Sequence, residues 1–270
     1  MPRPRHPQRP IFAGIDIGTL TCRLLIAERL DTGRLRELFS DRRILRLGQG
    51  VDRDRRLAAE AMDRVIVTLQ EWRKVIDRYE VLAYTAVATS AVRDAQNSAE
   101  FLDRVKCEAG FEVEVITGEE EARRTLLGIR SGLAVGVADI LALDIGGGST
   151  EFILDQPGSP PIVRSIDIGV VRLSERILQH DPPTEEEIRQ AREWIRKDTA
   201  SAMAGMRRKP GHTFTFVGTA GTITSLAAMA QRLPAYEPTR IHNYRLTLGT
   251  VKGLEEQLLS RSKAQREGMP

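Results

Sequence analysis

The stretch LALDIGGGSTEF, residues 141–152, carries the densest chemistry in the chain. An apolar run ends in a carboxylate, Asp144, and continues through Gly146, Gly147 and Gly148 to two hydroxyls and a second carboxylate, Glu151. Glycines have no Cβ to hold an anion away from the backbone, so residues 146–149 read as a turn whose N–H groups close on a phosphate. Asp144 offers a hard oxygen to a magnesium ion beside that anion. Ser149 and Thr150 add short hydroxyl donors, and Glu151 is a further carboxylate within reach. The competing reading of the same glycines is a plain hairpin at a strand end.

A related run occurs near the N-terminus, where IFAGIDIGTLTCRLLIAE places Asp16 before Ile17, Gly18 and Thr19. A third glycine turn, FVGTAGT, spans residues 216–222 and presents Gly218 and Thr219 after another apolar run. Between the two D-I-G runs lies TGEEEARRTLLGIR. Thr117 followed by Glu120 has capping-box spacing and predicts a helix start, where the helix dipole favours the cluster Glu119, Glu120 and Glu121. Glu121 projects about 100° around the helix from Glu120 and is the preferred functional carboxylate. Glu120, otherwise assigned to the cap, is kept as a second candidate.

Alternating and continuous apolar runs predict strands at 11–18, 21–28 and 35–47, with Asp31, Thr32 and Gly33 as a turn. Helical spacing of Ala61, Val65, Leu69, Trp72 and Ile76 predicts a helix over 57–79. Strands at 81–87 and 111–116 flank a helix over 98–110, which Asn97 and Glu100 are expected to cap. The second half repeats this plan. Strands are expected at 140–144, 150–155, 161–169 and 213–217. Helices follow from a Thr184/Glu187 capping box to about Met203, over 222–233 and over 250–262. The repeated β-β-β-α-β-α order implies α/β architecture in two related domains, 11–130 and 131–270, behind a basic tail at 1–10.

The 270 residues suit two cores of ordinary size, and 41% apolar with 29% charged residues is a globular composition. No apolar run approaches a membrane span, and the basic, proline-rich first ten residues lack the apolar segment of a secretory signal. A formal charge of +3 suits an anionic ligand, but no zinc-finger, RNP or helix-turn-helix pattern points to nucleic acid. Cys22 and Cys107 lack metal-ligand spacing and read as reduced thiols of a cytoplasmic protein. His6, His180, His212 and His242 are scattered and receive no metal.

Two related hairpins opening two half-molecules resemble the actin–sugar kinase–heat-shock protein ATPase superfamily, which implies two actin-like (ribonuclease H-like) domains with a cleft between them. The stretches IDIGTLTCRLLIA, TSAVRDAQN, ITGEEEAR, LDIGGGSTEF, DIGVVRL and VGTAGT, in this order, resemble the exopolyphosphatase/guanosine pentaphosphate phosphohydrolase (Ppx/GppA) family. Leu20 stands where many members have asparagine, and the family's closing segments do not follow Pro270, so the second domain reads as truncated. The resemblance implies hydrolysis of a terminal phosphate from inorganic polyphosphate or guanosine pentaphosphate. It implies Mg2+ on Asp144, Asp16 and Glu151. It implies phosphate on Gly18, Thr19, Arg23, Arg93, the turn Gly146, Gly147, Gly148, Ser149, and Gly218 with Thr219. Glu121, with Glu120 and Glu151 as the other catalytic carboxylates, would orient or deprotonate the attacking water. A homodimer is a further expectation. An ATP-dependent kinase and a non-catalytic polyphosphate or alarmone sensor remain as alternatives.

Overall fold

The computed structural model describes residues 9–134, 136–206, 213–267 and 269. Most of the tail expected at 1–10, together with His6 and His212, lies outside them. Packing divides the chain into two compact units, residues 1–117 and 118–270.

The first unit runs β1 (Ile11–Ile17), β2 (Thr21–Arg29), β3 (Leu35–Ile44), α1 (Val51–Asp54), α2 (Ala59–Arg78), β4 (Ala83–Ala88), α3 (Ser90–Asp94), α4 (Ser98–Arg104) and β5 (Glu114–Val115). A π-helical turn, Val105–Ala109, extends α4 and ends at Gly110 with φ of 72°. The sheet order is β3-β2-β1-β4-β5. β1 and β2 alternate, so Ile15, Ile17, Leu24 and Ile26 bury on one face against Val65, Leu69 and Trp72 of α2. Each such large side chain contributes about 1.5–3 kcal/mol when fully buried. Asp16 and Arg23 belong to the other parity and lie on the opposite face.

One expected cap is not made. Asn97 stands at the N-cap of α4 without a side-chain cap. Its buried amide instead accepts from Leu57 N–H at 2.8 Å and donates to Leu57 C=O at 3.1 Å, pinning the chain ahead of α2. A long-range pair of hydrogen bonds has displaced the local one.

The second unit runs α5 (Gly118–Gly132), β6 (Ile140–Ile145), β7 (Thr150–Asp155), β8 (Ile162–Ile166), α6 (Val170–Arg176), α7 (Glu185–Met203), β9 (Thr215–Thr219), α8 (Ala220–Ala230), α9 (Pro238–Ile241), α10 (Leu248–Leu259) and α11 (Lys263–Arg266). Its sheet order, β8-β7-β6-β9, repeats the first four strands of the other sheet. α5 packs over one face, on Ala142, Ile153 and Val163. Phe152 and Leu154 face the other way, against Ala202 and Met206. The sequence-based boundary after residue 130 lies at the far end of α5, whereas packing divides the chain at its near end, because Ala122 and Leu126 bury into the second sheet. The Thr184/Glu187 capping box of α7 forms in full.

Candidate active site

In each sheet an aspartate, Asp16 or Asp144, is the penultimate residue of the strand that leads into the same four-residue hairpin. Ile17 pairs with Cys22 and Ile145 with Thr150, so residues 18–21 and 146–149 are equivalent loops. Each is closed by one hydrogen bond, Gly18 N–H to Thr21 C=O and Gly146 N–H to Ser149 C=O, both 3.0 Å. The equivalence extends into the strands and matches Asp16 with Asp144 and Arg23 with Glu151.

The two hairpins carry opposite charge beside that common aspartate. In the first unit, cross-strand register sets Asp16, Arg23 and Arg42 in one row. In the second, Thr219, Asp144, Glu151 and Ser165 form the corresponding row. By parity this second row shares its face with Ala142, Ile153 and Val163, the residues under α5. Parallel pairing of β6 with β9 brings Thr219 beside Asp144 and Gly218 beside Leu143, so two of the glycine turns meet at the carboxyl ends of adjacent strands. Ligands of open α/β sheets bind at such strand ends.

The carbonyls of the second loop are all engaged. Val170 N–H donates to Gly146 C=O at 3.1 Å, Val171 N–H to Gly147 C=O at 2.8 Å, and Arg172 Nε to Gly148 C=O at 2.6 Å. Among the described residues, the amides of Gly147, Gly148 and Ser149 donate to no protein acceptor. Successive amides without partners make an anion-binding concavity. Gly169 permits the contact: a Cβ there would stand 2.3 Å from Gly147 O. In the first unit Gly48 does the same, since its Cβ would stand 2.3 Å from Thr19 Cγ2.

Glu151 is 1% exposed, and its Oε1 accepts from Ser165 Oγ at 2.8 Å. Gly118, the first residue of α5, abuts the same pair: a Cβ there would meet Ser165 Oγ at 2.2 Å and Glu151 Oε1 at 3.6 Å. One helical turn beyond Glu121, Thr125 Oγ1 donates to Asp144 Oδ2 at 3.4 Å. Glu121 therefore sits on α5 between a contact to Glu151 and a contact to Asp144, on the face turned to the acidic row. Glu120 points elsewhere, its carboxylate taking Arg124 Nε at 2.7 Å with Arg123 3.8 Å away.

Arg93, on α3, donates Nη1–H to Ile116 C=O at 2.9 Å. Arg23 Nε is buried with no hydrogen-bond partner. Thr19 is buried, and its carbonyl accepts from Gly48 N–H at 2.8 Å. Burial, and then the nearby Asp16 carboxylate, push the Cys22 thiol well up, so it remains neutral and takes no part as a thiolate. At the end of β9, Ala220 adopts φ of 67°, a strained conformation at the start of α8 beside Thr219. Sequence reasoning missed Ser165, Thr125, Gly48, Gly169 and Arg172. Of these, only DIGVVRL around Gly169 and Arg172 carried a local signal.

Asp144 and Glu151 are hard oxygen donors in one row, and no group of three or more His, Cys, Asp or Glu side chains suited to a metal forms among the described residues. That donor set fits magnesium, which is held by one or two carboxylates together with substrate phosphates rather than by an all-protein cage.

Two sheets of one strand order, each opening on an acid-tipped hairpin, define a mixed α/β protein of the actin-like fold. Residues 25–269 match the Ppx/GppA phosphatase family, and the chain belongs to it. Exopolyphosphatase 2 of Mycobacterium tuberculosis is 36% identical over 267 residues, spanning 95% of this chain and 82% of that protein. The solved exopolyphosphatase of Cytophaga hutchinsonii aligns with a TM-score of 0.85 at 29% identity, covering 96% of this chain and 83% of that one. The Aquifex aeolicus PPX-GPPA enzyme aligns with a TM-score of 0.79 at 36% identity, covering 96% and 83%.

Proposed function

We propose that the chain is a cytoplasmic, magnesium-dependent exopolyphosphatase that releases orthophosphate from the end of inorganic polyphosphate. The observation that carries this reading is the hairpin 146–149, with its carbonyls tied back and its amides turned out beside Asp144 and Glu151. Relatives named exopolyphosphatase support the substrate class. The unbridged Cys22 and Cys107 accord with a reducing compartment.

In this reading the amides of Gly147, Gly148 and Ser149 hold the terminal phosphate, with Gly218 and Thr219 at the neighbouring strand end. Arg23 and Arg93 take phosphate oxygens by forked hydrogen bonds, and Gly18 and Thr19 present the first hairpin to the polyanion. Asp144, with Glu151, would hold magnesium, which when bound neutralises phosphate charge, and Asp16 is the equivalent carboxylate of the first hairpin. Glu121 accepts the proton of the attacking water. Glu151, fixed by Ser165, is the alternative base, and Glu120 is the weakest of the three because it is engaged by arginines. Phosphoryl transfer demands positioning and charge stabilisation more than covalent chemistry, and this set supplies both.

The test is orthophosphate release from polyphosphate, guanosine pentaphosphate and ATP, each with and without Mg2+. Magnesium-dependent release that is fastest from polyphosphate is expected. A higher kcat/KM on guanosine pentaphosphate would replace polyphosphate as the substrate. Tight binding without turnover of any of the three would make the protein a sensor.

A further inference from the structure

We propose that Arg172 is a positioning residue for the phosphate turn: its guanidinium fixes the Gly148–Ser149 peptide and so aims the amide of Ser149. The inference rests on reading residues 146–149 as that turn.

Comparison of the two hairpins carries the argument. By register, Leu20 is the equivalent of Gly148 and Thr19 of Gly147. In the first unit backbone donors hold both carbonyls: Gly48 N–H bonds Thr19 C=O at 2.8 Å, and the amides of Leu45 and Arg46 bond Leu20 C=O at 2.9 and 3.0 Å. In the second unit backbone donors reach Gly146 and Gly147, but the third carbonyl is taken by a side chain, Arg172 Nε, at 2.6 Å. A function carried by main chain in one hairpin is thus assigned to one replaceable residue in the other.

Arg172 is built for this and not for solvent. It is 6% exposed, although it lies only two residues into α6. The Asp167 carboxylate stands 3.7 Å from its Nη2 on the side open to water. A peptide plane is rigid, so the Gly148 carbonyl and the Ser149 N–H point in opposite directions. Holding the carbonyl on Arg172 therefore turns the Ser149 amide outward. Because glycines 146–148 impose little conformational preference of their own, that orientation has to come from outside the loop.

The experiment compares wild type, Arg172→Met and Arg172→Lys. Steady-state rates on polyphosphate with Mg2+ are read alongside backbone amide resonances of residues 146–149, free and titrated with inorganic orthophosphate. R172M is expected to lose about 10–100-fold in kcat/KM, the usual scale for groups that orient site residues. Its Gly148 and Ser149 amides shift in the free protein and respond more weakly to orthophosphate. R172K, which keeps the charge but offers an N–H from a different position, recovers part of the rate. A merely structural role would not confine the resonance changes to residues 146–149 and 169–172. Should R172M fail to fold, R172K carries the comparison by the same two readouts. Wild-type rates together with unchanged loop resonances in either folded variant overturn the proposal. A wild-type loop that ignores orthophosphate refutes the phosphate-turn reading itself. Positioning then stands or falls on whether the free-protein loop resonances differ in R172M.

Discussion

Gly169→Ala isolates the packing on which the phosphate turn depends. Gly169 has φ of −144°, a conformation any residue adopts, so the substitution introduces no backbone strain of its own. Its effect is steric. The new Cβ would stand 2.3 Å from Gly147 O, 2.4 Å from Gly147 C and 2.5 Å from Gly148 N, where ordinary contact begins near 3.4 Å. All three are main-chain atoms of the turn, so no side chain can rotate away, and the loop must move by about 1 Å relative to α6. Overpacking of this kind costs about 1–3 kcal/mol in stability. A displacement of about 1 Å at a site that works by positioning costs on the order of 100-fold in rate. The assay is kcat/KM for orthophosphate release from polyphosphate, taken well below the Tm so that lost activity is not lost fold. Gly14→Ala is the control, because nothing lies within 4 Å of a Cβ at Gly14. It should leave both rate and Tm near wild type. G169A with kcat/KM within about twofold of wild type would refute the reasoning, since the turn would then tolerate a shift that the account holds to be damaging.

Three other outcomes follow from particular contacts. Arg23→Met removes a guanidinium whose buried Nε has no hydrogen-bond partner. It should lower kcat/KM on polyphosphate by about 1.5–3 kcal/mol, roughly 10–150-fold, with little change in Tm. Asn97→Ala leaves both Leu57 backbone groups without their side-chain partners. Urea unfolding of that variant should show a loss of about 1–3 kcal/mol. The Glu187 carboxylate is held down, from 4.5 to about 2, first by His180 and then by the amides of Thr184, Gln179 and His180. Because the folded form has the lower pKa, this stabilisation is complete above about pH 5 and is lost as the pH falls toward 2. Urea midpoints at pH 6 and pH 3 should therefore drop more for wild type than for Glu187→Gln.

Elements built on local pattern were legible in the sequence. The hairpins at Asp16 and Asp144, the long α2 and the Thr184 cap of α7 all obey short-range rules of alternation, helical spacing or capping. What escaped was set by distant partners. Strand β8 was expected over 161–169 but ends at Ile166, because Gly169 leaves the sheet to pack on the loop at Gly147. Helices α3 and α6 are too short to show a 3.6-residue period, so nothing announced them. Asn97 had the look of a cap and serves Leu57 instead. Likewise Glu151 read as a carboxylate within reach of the turn, but its orienting partner Ser165 emerges only from the register of β7 with β8. Gly48 matters through the hairpin at Thr19, distant in sequence, which no local spacing reveals, and the DIGVVRL run marked Arg172 without disclosing its bond to Gly148.

The most direct measurement of the central claim is the rate of orthophosphate release by Glu121→Gln from polyphosphate at saturating Mg2+, set against wild type, with polyphosphate binding measured on the same samples. Loss of a general base lowers the rate by about 100–10,000-fold, while binding through the glycine turn and the arginines persists. An E121Q protein that binds polyphosphate and hydrolyses it at the wild-type rate would contradict the account.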